Sequence, residues 1–136
     1  MNSALIHNNI TLVKELDDSL TVEGYPSEFS QVILNIVNNA KEILIERQVK
    51  NAEIRIALLR KDQHAVITIA DNAGGVNPAV MDKIFEPYFT TKEMGTGLGL
   101  YMSKTIIETN MKGRLSVTND EKGAVFTIEL PLVEKQ

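Results

Sequence analysis

The chain has 136 residues, a length that suits one compact domain, and 43% hydrophobic with 24% charged residues is a globular composition. It carries 14 Lys and Arg against 18 Asp and Glu, a net charge of −4. This balance argues against nucleic acid or an anionic membrane as the main partner, because phosphate surfaces attract a basic excess. The sequence contains no cysteine, which excludes disulfides, thiolate zinc sites and thiol catalysis.

No apolar run approaches the roughly 20 residues that span a bilayer. The first ten residues lack the basic start and the long apolar stretch of a secretory signal. We therefore expect a cytoplasmic domain without direct membrane contact. The pattern begins abruptly, as it would in a domain cut from a longer protein.

The first half of the chain predicts strands around one long helix. Alternating apolar residues indicate two short strands, on either side of the polar residues 17–19. From residue 27 to about 47, apolar residues recur at steps of one, three or four, which is typical of an amphipathic helix. Two strand patterns follow at 52–59 and 65–70, and the second runs directly into Asp71.

The second half predicts further helices and a hairpin. Residues 78–85 indicate one or two helical turns, whereas 86–99 are rich in Thr and Gly and show no clear period. A second helix is expected from about 99 to 110, and a β-hairpin over 114–130. We therefore expect a single α/β (α+β) domain over 1–136. About six strands would form one mixed sheet, with helices on one face in a two-layer sandwich.

Three asparagines lie within five positions of the first long helix. Asn35, Asn38 and Asn39 fall on the face opposite its apolar stripe. Asparagine is costly inside a helix, because its amide competes for backbone hydrogen bonds. Asn35 and Asn39 are four residues apart, so their side chains project one turn apart on the same side. Their amide oxygens suit the shell of a hard cation such as Mg²⁺, and a solvated polar face is the alternative.

The segment DNAGGV, at 71–76, directly follows a predicted strand. Its composition is that of a tight turn, and it lacks the alternating acidic ligands of a calcium loop. It also places a lone carboxylate, Asp71, at the inner end of a buried strand. There the carboxylate could accept a hydrogen bond from an exocyclic amine, while the glycines let a planar base approach the backbone.

The segment GTGLGL, at 95–100, opens the second predicted helix. It is neither a P-loop nor a dinucleotide-binding fingerprint, since no Gly-Lys-Ser/Thr follows it and no strand precedes it. Glycines at a helix start favour phosphate, and a flexible hinge is the alternative. Before them lie Thr90, Thr91 and Lys92, which supply two hydroxyl donors and one positive charge. Such groups could bind a phosphate chain or lie in a solvated loop. The preceding aromatic residues predict core packing: Phe85, Tyr88 and Phe89.

In this order, the motifs resemble the catalytic ATP-binding domain of sensor histidine kinases. That family belongs with DNA gyrase B, MutL and the large heat-shock chaperone ATPases to the GHKL superfamily, which has the Bergerat ATP-binding fold. The resemblance extends from about Asn9 to Pro131. QVILNIVNNAKEIL resembles the N box, DNAGGV the first glycine box, IFEPYFTTK the F box and GTGLGLYMSKTIIE the second glycine box, and GAVFTIELP is similar to the closing strand.

The resemblance implies ATP and Mg²⁺ as cofactors. It implies that Asn39 binds the Mg²⁺ and that Asn35, one turn earlier, lies beside the phosphates as a catalytic residue. It also implies that Asp71 accepts a hydrogen bond from the adenine amino group and that Gly75 shapes the base pocket. Residues Val76–Met94 would form a mobile lid. The full set of implied ATP-binding residues is Asn35, Asn39, Asp71, Gly75, Lys92, Gly95, Thr96, Gly97, Leu98 and Gly99.

The sequence departs from the family pattern at three places. Ala73 stands at the usual glycine two residues after the adenine Asp. Glu42 and Ile43 stand where many members have Lys-Tyr, so no helix lysine would contact the phosphates. Ala124 replaces a threonine that is common after the last glycine, and with it a hydroxyl on the adenine side.

The resemblance implies a kinase that transfers the γ-phosphoryl group of ATP to a histidine, which a response regulator then uses. His7 and His64 lack the acidic helical setting of a phosphoacceptor, so we expect that histidine on a separate dimerisation domain preceding residue 1. The full protein would be cytoplasmic or the cytoplasmic part of a membrane-bound sensor. Alternatives are an ATPase clamp, an anti-sigma serine kinase and a nucleotide-sensing module. A clamp uses a glutamate base where Asn35 stands, and an amide cannot take a proton from water.

Overall fold

The structure, a computed structural model, describes residues 10–16, 26–89 and 98–132. Within these residues, five strands form one sheet in the order β1-β2-β3-β5-β4. β1 runs parallel to β2, and the other neighbouring strands are antiparallel, so the predicted mixed sheet is confirmed. The second strand predicted near residue 20 lies outside the described residues. The strands are β1 (Thr11–Leu16), β2 (Glu53–Lys61), β3 (His64–Asp71), β4 (Arg114–Asn119) and β5 (Ala124–Pro131).

Two helices pack against one face of this sheet: α1 (Pro26–Glu46) and α2 (Gly99–Thr105). Successive strand side chains point to opposite faces, and alternate residues of β3 and β5 are therefore buried. They form one apolar core with the inward stripe of α1, as the sequence predicts for a two-layer sandwich. No helix among the described residues is long and apolar enough to cross a membrane. The buried stripe of α1 comprises Val32, Ile36, Val37, Ala40 and Leu44.

The second helix differs from the prediction of a continuous α-helix to Asn110. α2 ends at Thr105, and residues Ile106–Asn110 form a π-helical turn. The Met111 N–H donates to the Ile106 carbonyl, five residues earlier, at 3.1 Å. Ile107 and Met111 are both buried, and their spacing of four residues suits an α-helix equally well, so the sequence pattern does not distinguish the two kinds of turn.

Residues 78–85 do not form the predicted helix. The N–H groups of Val80, Lys83 and Glu86 each donate to the carbonyl three residues earlier, so the segment is a succession of turns. The side chain of Asn77 accepts the backbone N–H two residues further on at 3.0 Å. This bond has the form of a helix N-cap, but the backbone bonds that follow it are three residues apart, so the first turn does not continue as an α-helix.

Candidate functional site

The carboxylate of Asp71 ends β3 and is buried, with 7% of the residue exposed. Its Oδ1 accepts the N–H of Ala73 at 3.0 Å and the N–H of Ala124 at 3.4 Å. A Cβ at Gly123 would come within 2.2 Å of the Asp71 carbonyl oxygen. The close approach of the β4–β5 hairpin to the end of β3 therefore requires glycine at this position. These contacts hold Oδ1 in one orientation.

The second carboxylate oxygen, Oδ2, accepts no hydrogen bond from the part of the chain that the structure describes. Asp71 therefore has one oxygen that two backbone N–H groups hold and one oxygen that makes no hydrogen bond to the described residues.

Burial raises the pKa of Asp71 above its ordinary value of 3.8, because a charged carboxylate loses hydration. The backbone N–H groups of Ala73 and Ala124 and the positive charge of Arg47 act in the opposite direction, and the negative charge of Asp120 adds to the rise. A buried carboxylate with a perturbed pKa beside a turn is a common feature of functional sites.

Arg47, one residue beyond α1, reaches the turn that follows Asp71. Its Nη1 donates to the carbonyl oxygens of Ala73 at 2.7 Å and Gly75 at 3.0 Å. The sequence prediction missed this residue, because a basic side chain after a helix end is ordinarily a solvated charge near the helix dipole.

Asn119, the last residue of β4, bonds the same turn at Val76. Its Oδ1 accepts the Val76 N–H at 2.9 Å, and its Nδ2 donates to the Val76 carbonyl at 2.8 Å. Gly75 has a φ of +93°, and a Cβ there would lie 2.8 Å from Asn119 Oδ1. Gly75 therefore stands at a position where glycine is required. The sequence placed Asn119 only within the predicted hairpin over 114–130 and gave it no part in the site.

Asn35 connects α1 to the start of α2. Its Nδ2 donates to Ser103 Oγ at 3.2 Å and to the Gly99 carbonyl at 3.4 Å, while its Oδ1 accepts from Gln31 at 2.7 Å. Ser103 is fully buried and also donates to the Gly99 carbonyl, at 2.8 Å. The structure thus brings the predicted N box and second glycine box together through Asn35. Asn39, one turn further along α1, is half-buried.

Only part of the predicted phosphate side is described. Leu98 is half-buried, and its carbonyl accepts the Met102 N–H at 2.8 Å in the first turn of α2. No group of three or more His, Asp or Glu side chains in the described ranges could hold a metal ion. The predicted lid is described only as far as residue 89. Four predicted site residues lie outside the described residues: Lys92, Gly95, Thr96 and Gly97.

The aromatic residues before the glycines have different environments. Phe85 packs edge-to-face on Phe126, with ring centroids 6.2 Å apart, and the Lys104 ammonium lies 4.8 Å from the Phe85 ring centroid. Core packing is therefore confirmed for Phe85, and Phe89 is half-buried. The prediction of core packing is wrong for Tyr88, which is 76% exposed and has a φ of +66°.

The chain is similar in sequence to known proteins. The family of histidine kinase-, DNA gyrase B- and HSP90-like ATPases matches residues 24–134. The two-component sensor PprA of Pseudomonas aeruginosa is 36% identical over 121 residues, which cover 83% of this chain and 13% of PprA. The chain therefore spans a small part of this curated relative.

Two solved structures share the fold. The nucleotide-free catalytic domain of histidine kinase ThkA gives a TM-score of 0.83 at 33% identity, over 96% of this chain and 84% of that one. The structure of ThkA in complex with the response regulator protein TrrA has a TM-score of 0.78 at 28% identity. This match covers 97% of this chain and 37% of that one. The chain belongs to the histidine kinase-, DNA gyrase B- and HSP90-like ATPase family, as the ATP-binding domain of a sensor histidine kinase.

Proposed function

We propose that this domain binds Mg-ATP and donates its γ-phosphoryl group to a histidine on a separate dimerisation domain. The observation that carries the proposal is the carboxylate of Asp71. Its Oδ1 is held by two backbone N–H groups, and its Oδ2, at the end of a buried strand, accepts no hydrogen bond from the described residues. This arrangement suits a ligand that brings an amine to a fixed position.

The adenine 6-amino group matches this acceptor. It donates a hydrogen bond in the plane of the base, and a bond to a charged acceptor is worth about 1.5–3 kcal/mol. The adjoining Gly74 and Gly75, with φ angles of +99° and +93°, carry no side chain. A planar base can therefore approach the backbone closely.

Asn39 is the residue that we propose as the protein ligand of Mg²⁺. An amide oxygen is a hard neutral ligand, so the charge of the ion would be balanced by the ATP phosphates. When bound, Mg²⁺ would supply charge neutralisation at the transferred phosphoryl group. The phosphate cradle, which includes Lys92 and the glycines at 95–99, remains a prediction from the resemblance.

Asn35 is proposed to act at the phosphate end by holding the start of α2 against α1. Its bonds to Ser103 and to the Gly99 carbonyl fix the relative position of the N box and the second glycine box. Because an amide cannot accept a proton from water, Asn35 provides no general base for ATP hydrolysis. This favours phosphoryl transfer over the ATPase clamp.

The partners follow from the same proposal. A dimerisation domain of the full-length protein would bring the phosphoacceptor histidine, and a response regulator would receive the phosphoryl group. The TrrA complex was formed by ThkA, which shares 28% identity with this chain, and this supports a response regulator as a partner here.

Calorimetry with Mg-ATP and Mg-GTP tests the proposal on the domain itself. We expect micromolar affinity for Mg-ATP, about −7 to −8 kcal/mol, and much weaker binding of Mg-GTP. Addition of a histidine-bearing dimerisation domain should then permit phosphoryl transfer in a single-turnover assay. Equal affinity for the two nucleotides would refute the role proposed for Asp71.

A further inference from the structure

The turn after Asp71 contains two consecutive glycines, so its conformation is not determined locally. Gly74 and Gly75 both have positive φ, and glycine populates many alternative conformations at similar free energy. Contacts from other elements must therefore select the one observed. Among the described residues, the Gly74 N–H donates to the Lys122 carbonyl at 3.0 Å, and two side chains also contact the turn: Arg47, which follows α1, and Asn119, which ends β4.

Arg47 uses one nitrogen for two carbonyl groups of the turn. The two hydrogens of Nη1 are directed to the oxygens of Ala73 and Gly75, at 2.7 and 3.0 Å. Within the described ranges, the salt bridges of arginine belong to Arg55, and Arg47 forms none. Hydrogen bonds from a charged donor are stronger than neutral ones, so Arg47 is well suited to hold this backbone.

Asn119 pairs with both polar backbone groups of Val76. It accepts the N–H at 2.9 Å and donates to the carbonyl at 2.8 Å, as a neighbouring strand would. A Cβ at residue 75 would lie 2.8 Å from the Asn119 Oδ1, so the amide packs closely against Gly75. The turn is thus held by two side chains that are distant from it in sequence.

We propose that Arg47 and Asn119 are positioning residues that set adenine specificity by holding the 73–76 turn against Asp71. The inference rests on the proposed ATP site. Both residues bond the backbone that borders the Asp71 carboxylate, whereas the proposed phosphate contacts lie on α1 and around α2. Loss of either side chain should therefore weaken the contribution of the base and leave that of the triphosphate.

The test compares Mg-ATP with Mg-ITP, which has the same triphosphate but a 6-oxo group instead of the 6-amino group. We expect Arg47→Gln and Asn119→Asp each to lower the ATP-over-ITP preference about tenfold, with Kd for Mg-ITP changed less than about twofold. Arg47→Lys should recover part of the preference, because the ammonium retains charge and donors. Arg55→Gln is the matched control, because Arg55 bonds Glu15 and Glu53.

Thermal unfolding of each variant separates positioning from simple stabilisation. A lower Tm with an unchanged ATP-over-ITP ratio would overturn the inference and leave the proposed function intact. A wild-type domain that binds Mg-ATP without preference over Mg-ITP would refute the adenine site itself, and the inference with it. A loss of preference in Arg55→Gln equal to that in Arg47→Gln would also overturn the inference.

Discussion

Replacement of Asp71 by asparagine should separate nucleotide recognition from folding. The N–H groups of Ala73 and Ala124 require an acceptor at the position of Oδ1, so the new amide must turn its oxygen toward them. Its NH₂ group then takes the position of Oδ2 and faces the adenine amine. An acceptor in the proposed site becomes a donor, while the bonds within the protein remain.

The expected loss of affinity follows from the single bond that is removed. A hydrogen bond to a charged acceptor contributes about 1.5–3 kcal/mol, which corresponds to roughly 10- to 150-fold weaker binding of Mg-ATP. Mg-ITP should lose less affinity than Mg-ATP, because its 6-oxo group accepts a hydrogen bond from the new NH₂ group. Stability at neutral pH should not fall, since burial raises the pKa of Asp71 and the substitution removes a poorly hydrated charge.

Calorimetry of Asp71→Asn tests the expected loss of affinity for Mg-ATP, and thermal unfolding tests the expected lack of destabilisation. Asp71→Ala provides the contrast, because it leaves two buried N–H groups unpaired at about 1–3 kcal/mol each. Asp120→Asn is the matched control, an exposed carboxylate that accepts the N–H groups of Lys122 and Gly123 at 2.8 Å. Unchanged discrimination between Mg-ATP and Mg-ITP in Asp71→Asn would refute the assigned role.

Three further predictions concern pH, packing and the helix amides. Because the pKa of Asp71 is raised, the folded state binds this proton more readily, so its contribution to unfolding free energy falls as pH rises from 3.8 through the raised value. Acidification through that value should weaken Mg-ATP more than Mg-ITP in calorimetric titrations. Gly123→Ala should cost about 1–3 kcal/mol in urea unfolding, since its Cβ would lie 2.2 Å from the Asp71 carbonyl. Asn39→Ala should abolish the Mg²⁺ dependence of binding, whereas Asn35→Ala should mainly slow single-turnover transfer; the reverse result would exchange the two assignments.

Local periodicity was sufficient to predict the main elements of this chain. The apolar repeat from 27 to 47 corresponds to α1 at Pro26–Glu46, and the strand patterns before Asp71 correspond to β2 and β3. Helix and strand place side chains with different periods, so a buried stripe leaves its period in the sequence. The position of Asp71 at the inner end of a strand followed directly from that pattern.

Tertiary structure alone selected the residues that complete the candidate site. Arg47 lies 26 residues from Ala73 and Asn119 lies 43 residues from Val76, and Asn35 meets Ser103 across 68 residues. Individually, these side chains look like a helix-end charge, a turn residue and a polar face. Their bonds depend on how α1, β3 and the β4–β5 hairpin come together in space, and local sequence periodicity does not encode contacts between distant segments.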